Sequence, residues 1–147
     1  MAFWAITKET IPQEDLELFG RVRSIIDSLY DVNLGADERG NKCHIISRAL
    51  SNVFKIRCHD GFFYSRYRHS WVTTTNNNII DIYPVASFGG PIMYSNDPMS
   101  PARVLYKPDS TLCSSFRNES FEQAVRIYTQ FFKEKLEGGP NHVAPCR

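Results

Sequence analysis

Apolar residues recur at three- and four-residue spacing in two long stretches of this chain, one towards each end. Leu16, Phe19, Val22, Ile26 and Leu29 form the first stripe, between Pro12 and Tyr30, with Asp15, Glu17, Arg21 and Arg23 outside it. This pattern predicts a helix that covers a core. Phe121, Ala124, Val125, Tyr128, Phe131, Phe132 and Leu136 form a wider stripe near the other end. There Ser120-Phe121-Glu122-Gln123 fits a capping box, and Gly138-Gly139 is expected to end the helix ahead of a flexible tail over 138–147. A shorter stripe, Ile46, Ala49, Leu50, Val53 and Phe54, starts at Cys43 and predicts a central helix.

Between these helices the composition turns β-branched and aromatic. Val53 to Tyr67 reads as two strands about a turn at His59-Asp60-Gly61, the second strand being 62–67. His69–Thr73 and Ile79–Tyr83 read as two more, joined through Thr73-Thr74-Thr75-Asn76-Asn77-Asn78 as a hairpin. The aromatic residues Phe62, Phe63, Tyr64 and Tyr67 are expected to pack the sheet rather than cage a ligand. The result is an α+β domain with an N-terminal helix, a central helix on an antiparallel sheet of about four strands, and a C-terminal helix. Asp31 to Lys42, with Gly35 and Gly40, reads as a loop bordering a cleft. Pro84 to Ser110 reads as a long irregular segment that either walls or covers that cleft or simply wraps the surface, with Met93, Tyr94 and Tyr106 its residues of interest.

Composition narrows the classes available. The chain has 147 residues, 42% hydrophobic and 22% charged, which is one globular domain with room for a core. A formal net charge of +1 gives no basic excess with which to hold nucleic acid or an anionic membrane. Arg57, Arg66 and Arg68 read as a solvated face. No apolar run is long enough to span a bilayer, and Met1–Lys8 lacks the charged start and apolar core of a secretion signal, so a cytoplasmic location is expected. Four cysteines are too few for a disulfide scaffold in a chain of this length.

The chemistry sits between Asn41 and Pro84. Cys43 opens the central helix, where unpaired backbone N–H groups and the positive end of the helix dipole favour a thiolate. His69 lies in His69-Ser70-Trp71-Val72 and Asp81 in Ile79-Ile80-Asp81-Ile82-Tyr83-Pro84. With the hairpin centred on Thr75, His69 would face Asp81 and Trp71 would oppose Ile79, shielding the pair from water. A slip of one residue would spoil this arrangement. A thiol nucleophile needs these three groups: the sulfur, an imidazole to hold and return its proton, and a carboxylate to orient the imidazole. Each alone is commonly a packing residue; their joint order carries the reading. Cys43-His44 and Cys58-His59 also offer zinc ligands, but adjacent Cys-His side chains diverge and the spacing does not fit a structural zinc site.

A Cys that leads a helix, then a strand opening His-x-Trp-Val, then one ending Ile-Asp-x-x-Pro, resembles the core of the transglutaminase-like branch of the papain-like cysteine enzymes. The resemblance covers about the middle third of the chain. It implies a papain-like fold, Cys43 as nucleophile, His69 as base and acid, and Asp81 as the orienting group. The reaction implied is hydrolysis or acyl transfer at an amide or peptide bond through an acyl-enzyme, without a cofactor, on a peptide, protein or small amide substrate. The Trp that often precedes the Cys in that family is not in place here, Trp4 lying far upstream. Oxyanion stabilisation is therefore assigned to the Cys43 backbone N–H and Asn41. The same fold without catalysis would be a peptide-binding domain, in which Cys43 would be buried and unreactive.

Overall fold

The computed structural model describes residues 11–29, 42–82, 90–112 and 117–143. Helix α1 spans Gln13–Asp27 and buries Val22, Ile25 and Ile26, with Leu16 and Phe19 partly covered against the same core. Helix α2 spans Lys42–Phe54. Ile46, Ala49 and Leu50 are fully buried along it, and each large apolar side chain so covered contributes about 1.5–3 kcal/mol relative to exposure. That packing fixes the helix, and with it the position of Cys43. Its last turn includes Val53 and Phe54, which the sequence pattern had shared with a strand. Lys55, with φ 58°, then ends it in the left-handed conformation.

Five strands follow: β1 (Arg57–Phe63), β2 (Tyr67–Thr73), β3 (Ile79–Asp81), β4 (Ile92–Tyr94) and β5 (Tyr106–Pro108). They form one antiparallel sheet in the order β4-β3-β2-β1-β5. The turn expected at His59-Asp60-Gly61 lies instead in the middle of β1. The chain reverses at Tyr64 and Ser65, with φ of 58° and 56°, and the Arg66 N–H donates to the Phe63 carbonyl at 3.2 Å. Asp60 and Gly61 have other uses. The Asp60 side chain serves α2 and β2, while Gly61 lets β5 approach: a Cβ there would stand 2.8 Å from Pro108 Cα and collide with the Lys107 carbonyl oxygen.

Gly61→Ala is expected to destabilise the fold by about 1–3 kcal/mol, because backbone rather than a flexible side chain must move. Equilibrium denaturation checks it, and a loss under 0.5 kcal/mol would show that β5 yields freely.

The irregular segment expected over 84–110 carries β4, β5 and a four-residue helix, α3 (Ala102–Leu105), within its described part. Because β4 and β5 lie on opposite edges of the sheet, the chain between them crosses one sheet face. Helix α4 (Glu119–Val143) is capped by Asn118, whose Oδ1 accepts from the Phe121 N–H at 2.9 Å, not by the expected Ser120 box. Glu122 pairs with Arg117 instead, at 2.7 Å. The helix continues past Gly138-Gly139 to Val143. Glycine in a helix costs about 1 kcal/mol against alanine, which raises the local energy without forbidding the turn. The four remaining residues, 144–147, and Cys146 among them, lie outside the described residues.

The register splits the sheet into two faces. Val72, Ile80, Met93 and Cys58 point to the helices and join the core of α1, α2 and α4. His69, Trp71, Ile79, Asp81, Tyr94 and Tyr106 share the opposite face, where Trp71, Ala102 and Tyr106 centre a second apolar cluster. Among the described residues no helix is long and apolar enough to cross a membrane. Arg57, Arg66 and Arg68 are exposed.

Candidate active site

Strand β3 pairs with β2 through Val72↔Ile80 and Thr73↔Ile79. The register is thus two residues from the one that sets His69 opposite Asp81, and Thr73, not Trp71, faces Ile79. A shift of two preserves the face of every side chain, so His69 and Asp81 still meet on a diagonal. His69 Nε2–H donates to both Asp81 oxygens at 2.8 Å. A carboxylate only accepts, so the proton is on Nε2 and Nδ1 is the nitrogen left to face the thiol. Tyr106 Oη donates to Asp81 Oδ2 at 2.5 Å. Burial and the Asp81 charge push the Tyr106 phenol far above its ordinary range, so it remains a donor.

Beyond Asp81 the β3 ladder stops, which exposes the edge of β2 at His69 and Ser70. The first turn of α2 takes that place. His69 and His44 both act on the charge of Cys43, while His44 Nδ1 meets Ser70 Oγ at 2.6 Å. Successive residues of the helix thus engage successive residues of the strand. Cys43 is partly exposed, whereas His69 is 2% and Asp81 0% exposed. A partly exposed cysteine thus lies beside a histidine and an aspartate that are shut off from water.

Electrostatics follow from that geometry. Burial alone would raise the Cys43 thiol, but hydrogen bonds and charge from His44 and His69 outweigh it and bring it down to about 6. Burial alone would lower His69, but Asp81 and then Cys43 carry it up to about 9. Between those values the pair is a thiolate beside an imidazolium. Trp71, 2% exposed, stacks on His69 with centroids 6.3 Å apart and meets Tyr106 edge-on at 4.9 Å, which keeps water from this flank.

The structure therefore brings Cys43, His69, Asp81 and Trp71 together. Asn41 lies outside the described residues. Tyr106 enters from the crossing segment, and His44, Ser70, Asp60 and Arg48 form a second, partly buried chain. In the sequence His44 is marked only as a possible zinc ligand and Ser70 only by its neighbour His69, while Asp60 reads as a turn residue. In β1, Cys58 joins the helix-side core while His59 stacks on Trp71 at 6.0 Å, so that Cys-His dipeptide diverges across the sheet. Among the described residues no group of three or more His, Cys, Asp or Glu is placed to hold a metal ion.

On the same face as Trp71, a cavity of about 380 Å³ lies beneath the crossing segment, lined among others by His59, Trp71, Thr73, Asn96, Arg103 and Tyr106. The crossing segment walls this cavity, which is bounded by Trp71 and Tyr106 and is not lined by Cys43. Compared with known proteins, the chain matches no family model, no curated protein and no solved structure.

Proposed function

We propose that this chain is a cysteine-nucleophile enzyme of papain-like, transglutaminase-like architecture that cleaves or transfers at an amide or peptide bond. The observation that carries this reading is the buried His69–Asp81 pair, with its 2.8 Å hydrogen bonds, beside the partly exposed Cys43 at the start of α2, whose charge His69 acts on. The Cys43 thiolate attacks the carbonyl carbon, forming a C–S bond and an oxyanion. The backbone N–H groups at the start of α2, that of Cys43 among them, are the donors assigned to that oxygen, with Asn41 as the assigned side-chain partner. The His69 imidazolium gives its proton to the departing amine nitrogen as the C–N bond breaks. Neutral His69 then takes a proton from water or an incoming amine, which attacks the thioester and releases the thiolate. Asp81 fixes the His69 tautomer throughout. Hydrolase and acyltransferase share every step but the identity of the second nucleophile. The substrate is a peptide, a protein side chain or a small amide.

Alkylation of Cys43 by iodoacetamide, located by mass spectrometry, tests the reading. The rate is expected to rise with pH through a midpoint near 6, where the thiol ionises, rather than near the free-thiol value of about 8.5. Labelling no faster than at the other cysteines would overturn the catalytic reading and leave a binding domain.

A further inference from the structure

The cavity of about 380 Å³ beneath the crossing segment has no part in the mechanism above. Its lining is graded from base to mouth. Trp71, Ala102 and Tyr106 are buried and form the base, whereas Asn77 and Arg103 are exposed at the mouth. Polar atoms at the base are already spent on protein partners: Tyr106 Oη donates to Asp81 Oδ2, and Thr73 Oγ1 is paired with His59 Nε2 at 2.9 Å. What the base offers a ligand is therefore aromatic and aliphatic surface, with Trp71 and Tyr106 edge-on to each other at 4.9 Å. The mouth offers charge. Arg103 Nη2 donates to the Asn96 carbonyl at 3.0 Å, which holds the guanidinium at the rim and leaves its other donors for a ligand. Among the described residues no Asp or Glu lines the cavity, and none forms an ion pair with Arg103. His59, held below the ordinary imidazole range by burial and then by the Arg57 charge, adds no charge of its own at pH 7.

We propose that this cavity is a binding site for a small carboxylic acid with an aromatic or branched apolar body, the body seated on Trp71 and Tyr106 and the carboxylate held by Arg103. Small-molecule sites run from about 300 to 1,000 Å³, and a volume near the lower bound selects a ligand of amino-acid size. The planar guanidinium matches the two oxygens of a carboxylate, a geometry that a neutral amide of the same shape cannot repeat. Cys43 does not line the cavity, so the assignment stands or falls apart from the cysteine-enzyme reading. The two sites nonetheless share walls. Trp71 stacks on His69 with centroids 6.3 Å apart, and Tyr106 donates to Asp81, so a ligand on the base rests against the two rings that flank the acid–base pair.

The chain has two tryptophans, so a Trp4→Phe protein reports Trp71 alone. Its emission is followed on titration with phenylacetate and with phenylacetamide, the uncharged counterpart, and calorimetry measures the same binding independently. Phenylacetate is expected to give a saturable change and to bind roughly three- to tenfold more tightly than phenylacetamide, the scale of a charge-assisted contact at an exposed rim. Raised ionic strength should narrow that gap. Arg103→Gln, a change at an exposed position, is expected to weaken phenylacetate by the same factor and make the two ligands alike. Ala102→Met, which fills the base, is expected to abolish binding of both, with thermal unfolding showing that the variant is folded; if it is not, Arg103→Gln decides alone. N-acetylphenylalanine, which carries the same groups as a chain end, distinguishes the source of the ligand: tighter binding than phenylacetate supports the site as one for a peptide C-terminus, weaker binding as one for a free acid. No saturable signal by either method, equal affinity for acid and amide, or an Arg103→Gln protein that holds phenylacetate as tightly as the wild type would overturn the assignment.

Discussion

His69→Ala is expected to slow acylation of Cys43 by p-nitroacetanilide by about 10²–10⁴-fold, the range general acid–base groups supply. The reason is the leaving group. An anilide nitrogen needs a proton as its C–N bond breaks, and His69 is the imidazole whose Nε2–H is fixed on Asp81 with Nδ1 left for the thiol. For p-nitrophenyl acetate, whose phenolate departs unprotonated, the loss should be several-fold smaller. Equal losses for the two substrates would assign His69 a structural role. Asp81→Asn adds a graded comparison. The amide oxygen still accepts from Nε2–H, but the charge that lifts His69 to about 9 is gone. In the wild type kcat/KM is expected to rise through about 6 and fall through about 9, as Cys43 ionises and then His69 loses its proton. Asp81→Asn should move the upper limb down, towards the ordinary imidazole value of about 6.5, and leave a narrower bell. An unmoved upper limb would mean that His69 is not the group titrating there.

The parts of this arrangement that were legible in the sequence are those set by periodicity and by side-chain type. The stripe beginning after Cys43 set the helix, and the β-branched runs about the Thr-Asn tract set a hairpin bearing His69 and Asp81. Parity protected the pairing: the actual register differs by two residues, and only an odd slip would have turned Asp81 away. What the sequence hid was long-range. Asp60-Gly61 carries a strong local turn signal, but Gly61 is needed where Lys107 and Pro108 of a strand more than 40 residues away pass close. Strands of three residues, such as β4 and β5, are too short for periodicity to register, so Tyr106 could be singled out but not connected to Asp81. The His44–Ser70–Asp60–Arg48 chain joins three elements, and no spacing rule links such positions.

Asp15 shows the same limitation on the stability side, and its removal is expected to have the largest effect on the fold. It lies outside the apolar stripe of α1, yet it is 3% exposed. Its carboxylate accepts from Thr74 Oγ1 at 2.7 Å, Asn78 Nδ2 at 2.6 Å and Asn76 Nδ2 at 3.1 Å. Three donors of the β2–β3 turn are thus satisfied by one acid, and Thr74 and Asn78 are themselves 2% and 1% exposed. Asp15→Ala leaves those buried donors without their acceptor. At about 1–3 kcal/mol for each buried group left unmet, with partial relief from relaxation, the loss should be about 2–4 kcal/mol. In a chain of this length that is a fall in Tm of roughly 5–15 °C, measurable by circular dichroism. Asp15→Asn, which keeps one acceptor oxygen, should lose less. The damage should extend to the site. Asn78 Oδ1 accepts from the Asn96 N–H at 2.8 Å and Asn96 Nδ2 donates to the Asn76 carbonyl at 2.7 Å, so the turn that Asp15 holds also holds the segment leading to Tyr106. Since β3 leaves that turn to deliver Asp81, Asp15→Ala should also slow alkylation of Cys43 at pH 7 well below its Tm. Unchanged labelling in a destabilised protein would show that the turn supports the fold without positioning the acid–base pair.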